Sequence, residues 1–152
     1  MILSLCLLAA FAGAAGAQSA PGPAAGRWSL GVVNHGGAVN YQASRRVALE
    51  AKALFSSGVY IAGPRLYYYF NPGSRLALFC GAEGDYIGFK GKVSRGSGFA
   101  GGAFVGGSVA MGSRFSLAMD FGPMYIGLKD KSSSLGVGGI DYVLNMGIYW
   151  HF

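Results

Sequence analysis

Charged side chains make up only 12% of this chain, so their spacing carries weight. Glu50-x-Lys52 and Glu83-x-Asp85 repeat every second residue, which places each pair on one face of a β-strand. Arg65, Asp120 and Asp141 stand in similar alternating surroundings and read onto the same face, together with Arg75, Asn40, Gln42, Tyr67, Asn145 and Tyr149. Acids and bases gathered on one face can relay protons, pass ions or neutralise one another. Arg65 is the expected hub, because its planar fork can serve two carboxylates in a dry space.

Other motifs lead nowhere. Gly96-Ser97-Gly98-Phe99-Ala100-Gly101 spells the dinucleotide fingerprint, and Asp120 lies about 20 residues on. The mechanism requires a strand before it and a helix after it, so that phosphate sits on the helix amino-terminus. Here a basic loop precedes it and a glycine-rich alternating segment follows. With 27 glycines in the chain, coincidence explains the match. His35 and His151 are the only histidines, no metal-ligand spacing is present, and neither metal nor cofactor is expected. A nucleophilic serine needs an imidazole one hydrogen bond away. His151 falls far from Ser132-Ser133-Ser134, so no catalytic residue is assigned.

The elements that position the charges are strands. Residues 142–152 alternate to the end: Tyr142, Leu144, Met146, Ile148, Trp150 and Phe152 on one face, with Val143, Asn145, Gly147, Tyr149 and His151 on the other. Eight strands are expected, at 27–34, 38–44, 47–54, 59–70, 75–89, 99–111, 115–128 and 138–152. Hydrophobic content is 52%, too high for an ordinary soluble surface. No apolar run in the body reaches the roughly 20 residues of a membrane-spanning helix. An all-β, eight-stranded antiparallel up-and-down transmembrane β-barrel of the outer-membrane type satisfies both facts. Asn71-Pro72-Gly73-Ser74, Gly112-Ser113-Arg114 and Ser44-Arg45-Arg46 read as tight periplasmic turns; 90–98 and 129–136 read as longer outer loops. Trp28, Tyr41, Tyr68, Phe70, Phe115, Trp150 and Phe152 would ring the periplasmic edge, and Tyr60, Tyr86, Tyr125 and Tyr142 the outer one. Gly63-Pro64 and Gly122-Pro123 suggest bulges, since a closed barrel has no edge for a missing N–H.

Eight strands enclose a space that side chains can fill. Glu50, Lys52, Arg65, Glu83, Asp85, Asp120 and Asp141 are therefore expected to form an interior polar network that plugs the barrel. Residues 1–17 read as a signal peptide ending in Ala15-Gly16-Ala17, 18–26 as a short flexible lead-in and 27–152 as the barrel. Cys6 would leave with the leader, so Cys80 would have no partner. Lys90, Lys92, Arg95, Lys129 and Lys131 gather in two loops, where they would meet anionic lipid headgroups. The formal charge of +6 is thereby read without nucleic acid.

The exported start, the eight segments and the terminal Leu144-x-Met146-x-Ile148-x-Trp150-x-Phe152 resemble small outer-membrane barrels of the OmpA and OmpX type. That resemblance implies an outer-membrane location, a monomer, and outer-membrane lipids as surroundings. It also implies that Ile148, Trp150 and Phe152 are the recognition signal for the barrel-assembly machinery during insertion. The function expected is non-enzymatic, with a structural, surface or membrane-integrity role. A small transport pore, a lipid-modifying barrel enzyme and a soluble lipocalin-like ligand-binding barrel are the alternatives.

Overall fold

The computed structural model describes residues 26–91, 95–130 and 136–152. The strands are β1 (Trp28–Val33), β2 (Gly36–Gln42), β3 (Val47–Ser56), β4 (Val59–Tyr69), β5 (Leu76–Lys90), β6 (Arg95–Met111), β7 (Phe115–Asp130) and β8 (Gly136–His151). Each pairs antiparallel with its sequence neighbours, and β1 pairs with β8, so the eight close into an up-and-down ring. The period-two pattern explains the strands: along β1 and the lower half of β8, exposed and buried residues alternate without a break. Turns are made by residues that tolerate left-handed backbone. Gly112 (φ 85°) turns β6 into β7, and Asn34 (φ 44°) turns β1 into β2 while its side-chain oxygen accepts from Met146 N.

The register fixes the shape. Stepping across rungs from Val32 through Gly37, Ala53, Ala62, Tyr86, Phe99 and Gly127 reaches β8 at Gly138, whereas Val32 itself pairs with Ile148. This stagger of ten residues around eight strands corresponds to a tilt of about 40° and a backbone radius of about 8 Å at ordinary strand spacings. Such an interior has room for side chains and little else.

The wall is uneven. β1 and β2 have 6 and 7 residues, whereas β6, β7 and β8 have 17, 16 and 16. The tilt brings the strands to a common lower rim, where the described chain begins and ends, so the upper rim climbs from β1 to β8. β1 covers only Gly147–His151 of β8. The upper part of β8 therefore has no strand on that edge among the described residues.

Three sequence expectations need correction. The strands reach into the expected loops at 90–98 and 129–136: β6 starts at Arg95, β7 runs to Asp130 and β8 starts at Gly136, with Gly96, Ser97 and Gly98 paired to Asp130, Lys129 and Leu128. Backbone pairing needs no side chain, and the Phe89 ring lies over Gly96. No bulge forms at either proline. The ladder to one neighbour skips two rungs at Gly63-Pro64 and at Ala103-Phe104 opposite Gly122-Pro123, yet the register on both sides of each gap is the same. Facing is thus preserved: Arg65 and Tyr67 point in, Leu66 and Tyr68 out. The break expected at 35–37 falls at Asn34-His35, since Gly36 and Gly37 enter β2. The fingerprint at 96–101 lies wholly within β6 and no helix follows it, so its phosphate mechanism has no structural basis.

Outside, large apolar side chains are exposed on every strand, including Leu30, Val39, Leu49, Leu66, Leu78, Val105 and Ile148. Aromatic rings bracket them. Below stand Trp28 against Tyr41 (4.7 Å), Tyr68 against Phe70 (5.8 Å) and Trp150 against Phe152 (5.8 Å). Above stand Tyr60, Tyr86 and Phe99 in series (5.9 and 5.4 Å), and Phe121 against Tyr142 (5.5 Å). The eight-residue spacings Tyr60 to Tyr68 and Tyr142 to Trp150 put the two rings about 20 Å apart along the axis. No charged side chain lies on the outward face between them, among the described residues.

Candidate functional site

Inward-facing residues stack in three layers. At the bottom is a polar cavity, in the middle a charge network over aromatic rings, and at the top an apolar cluster of Ile87, Ala100 and Met124 with Ile61, Ile126, Leu128 and Val143 against it. The middle layer is the charge set that the strand alternation selects. Glu50 and Lys52 come from β3, Arg65 from β4, Glu83 and Asp85 from β5, and Asp120 from β7, all buried.

Arg65 is the hub. Its Nη2 donates to Asp120 Oδ1 at 2.7 Å and its Nη1 to the Tyr67 hydroxyl at 2.7 Å, with Glu50 Oε1 3.5 Å away. Its Nε lies 2.6 Å from Glu83 Oε2, an ion contact whose angle is too bent for a hydrogen bond. Lys52 Nζ donates to Glu83 Oε2 at 3.0 Å and lies 3.0 Å from Asp85 Oδ2. The side chains of all these ion pairs are at most 5% exposed. The Phe104 ring sits 4.1 Å beneath the Arg65 guanidinium, and Phe104, Phe79 and Tyr67 meet edge to face. Charge delocalised over a planar guanidinium suits that apolar seat.

Polar residues extend the set. The Tyr67 hydroxyl donates to Glu50 Oε1 at 2.9 Å, Asn145 Nδ2 donates to Asp120 Oδ1 at 2.9 Å, and Asn34 Nδ2 donates to Asn145 Oδ1 at 3.0 Å. The linkage from Arg65 on β4 to Asp120 on β7 crosses the ring and closes its axis. Two cations face four carboxylates there, so the fully ionised set carries two surplus negative charges. Asp85 Oδ1, buried and without a hydrogen-bond partner, is where the surplus shows.

Asp141 is not part of this network. The alternation of β8 gives it the inward parity, but the neighbouring wall of β1 stops short, and Asp141 is exposed with its carboxylate on Tyr142 N at 2.8 Å. Arg75 is likewise exposed, at the foot of β5, where it lines the mouth of the lower cavity. Lys90, Arg95 and Lys129 stand exposed at the upper rim, in the ends of β5, β6 and β7 rather than in loops; Lys92 and Lys131 lie outside the described residues, as do the 1–17 leader, most of the 18–26 lead-in and Ser132-Ser133-Ser134. Ile148, Trp150 and Phe152 face outward and are exposed at the lower end of the chain.

The lower cavity holds what residue counting missed. It measures about 80 Å³ and is lined by residues of every strand, among them Ser29, Gln42, Tyr149 and Glu50 at its inner end. Ser116 Oγ and His151 Nε2 are 2.8 Å apart on its wall. Both positions have inward parity on strands that are sequence neighbours, and the side chains meet on a diagonal of the β7–β8 ladder, where Ser116 itself pairs with Tyr149. A serine beside an imidazole meets the first requirement for nucleophilic catalysis; a third group to orient the base is the next. The buried carboxylates of the middle layer face Lys52 and Arg65.

Compared with known proteins, the chain matches no family model and no curated protein.

Proposed function

We propose that this protein is an integral outer-membrane β-barrel of the OmpA and OmpX type, non-enzymatic, with a structural, surface or membrane-integrity role. The observation that carries the reading is the inverted polarity of the ring. Its outward face presents an apolar, charge-free band between two aromatic girdles, while six charged side chains are buried inside. A charge at mid-height against lipid costs about 2–4 kcal/mol, and amphipathic rings prefer the lipid–water interface. A soluble ligand-binding barrel has the opposite need, an apolar interior and a polar exterior. The packed middle layer argues for a plugged barrel over a pore.

In this reading the lower rim faces the periplasm, and the cations Lys90, Arg95 and Lys129 meet anionic headgroups of the outer surface. Ile148, Trp150 and Phe152 serve as the assembly signal, and the protein is a monomer. Membrane fractionation followed by electrophoresis with and without boiling tests the proposal. A membrane-associated protein whose mobility shifts on boiling is expected. A mature protein in the soluble fraction with no heat-dependent shift would overturn it.

A further inference from the structure

The lower cavity has a charge pattern that the plug does not require. Arg27 precedes β1 and Arg75 precedes β5, two strands that stand opposite one another in an eight-stranded ring. Both arginines line the cavity from opposite sides of its mouth. The buried carboxylates are committed to Lys52 and Arg65, Asp141 to its own strand, and Asp130 stands at the far upper end of β7, so neither arginine has an acidic side-chain partner among the described residues. Arg45, Arg46 and Arg114 sit on the same rim in the lower turns and add charge of the same sign. Glu50 is the acid at the inner end, and its oxygens already face Arg65, Tyr67 and Asn40.

We propose that this vestibule binds a small oxyanion, a phosphate or carboxylate group held between the Arg27 and Arg75 guanidiniums. A guanidinium is a planar fork that pairs with an oxyanion bidentately, and one such group lines the cavity from the foot of each of these opposite strands. Ser29 and the Ser116–His151 pair supply neutral polar groups on the β1, β7 and β8 walls. Ala77 and Ala110 keep the opposite wall short. The cavity of about 80 Å³ has room for several waters, or for one tetrahedral oxyanion in their place. A mouth whose charged side chains are all cationic among the described residues, set in low-dielectric walls, concentrates the opposite sign. The same group comes either from a dissolved anion or from a phospholipid headgroup at the rim. The inference rests on the cavity and its arginines, not on the membrane reading.

The test is titration of the full-length protein with inorganic phosphate at constant ionic strength, followed by amide NMR shifts of residues 27–29 and 75–77. The protein is held in zwitterionic micelles, or in plain buffer if it is soluble. Saturable shifts are expected, with Arg27→Gln and Arg75→Gln each weakening binding at least about tenfold, since each removes a charge-assisted bidentate contact. Arg95→Gln at the opposite rim should leave binding unchanged. Arg27→Lys, which keeps the charge and loses the fork, should fall between; it also serves if the glutamine variants fail to fold. Non-saturating shifts, or equal weakening by Arg95→Gln, would overturn the proposal as an ion atmosphere. Repeating the titration with phosphatidylglycerol added to phosphatidylcholine vesicles or zwitterionic micelles separates the sources. Competition by the anionic lipid supports a headgroup, and an unaltered phosphate curve supports a dissolved anion.

Discussion

Arg65→Met is the most informative perturbation of the plug. It removes contacts at 2.6, 2.7 and 3.5 Å to Glu83, Asp120 and Glu50, and a 2.7 Å bond to Tyr67, while the methionine still fills space over Phe104. Lys52 remains as partner for Glu83, Asn145 for Asp120, and Tyr67 with Asn40 for Glu50. The ionised set would then carry three surplus negative charges instead of two. Removing one partner of a single buried ion pair costs about 3–5 kcal/mol. Arg65 serves three acids, so the upper end, about 5 kcal/mol, applies. With a urea slope of about 2 kcal/mol/M for a chain of this size, the midpoint should fall by about 2.5 M. Reversible urea unfolding, read by fluorescence of Trp28 and Trp150, measures it. Adding Glu50→Gln and Asp120→Asn to Arg65→Met should recover most of the loss, because the cost lies in stranded charge. An unchanged midpoint for Arg65→Met would refute the hub, and no recovery in the triple variant would refute the electrostatic account of it.

Three further outcomes follow from the same geometry. Asp85→Asn should leave the urea midpoint equal or higher, since it removes a surplus charge, whereas Lys52→Met should lower stability by about 3 kcal/mol by stranding Asp85, with Glu83 left to Arg65 alone. Phe79→Ala should cost about 3–5 kcal/mol in the same assay, because that ring is 1% exposed and packs against Tyr67, Tyr69 and Phe104. Gly122→Ala should impair folding measured as yield of the compact form on refolding, whereas Gly84→Ala should not. A Cβ at Gly122 meets the Ala103 carbonyl oxygen and Phe104 Cα, while one at Gly84 meets nothing within 4 Å.

Strand number, order and facing were legible in the sequence because a two-residue repeat leaves each side chain only two choices, and a water-excluding interior selects between them. Glu50, Lys52, Arg65, Glu83, Asp85 and Asp120 could be assigned inward on that ground alone. The same rule misplaced Asp141, because parity states which way a side chain points but not whether a neighbouring strand covers it. The prolines misled for a related reason. A missing N–H argued for a bulge, yet skipping two rungs on one side and keeping the register cost less rearrangement of the facing. Ser116 and His151 were overlooked because the serines weighed against His151 were those of the 132–134 loop, and the pair meets on a diagonal of the β7–β8 ladder rather than on one rung.

The sequence by itself determined an all-β chain of eight alternating segments, its tight lower turns, its greasy outer face and the membership of its inner charge set. These are local properties, fixed by side-chain period and turn chemistry. Only the tertiary structure decided the stagger of ten residues, the rising rim that leaves upper β8 without a neighbour, and the convergence of Arg65 with acids from three other strands. It also set Arg27 across from Arg75 over a shared cavity. Closure of a ring sums small offsets from every strand pair, and no single segment of the chain carries that sum.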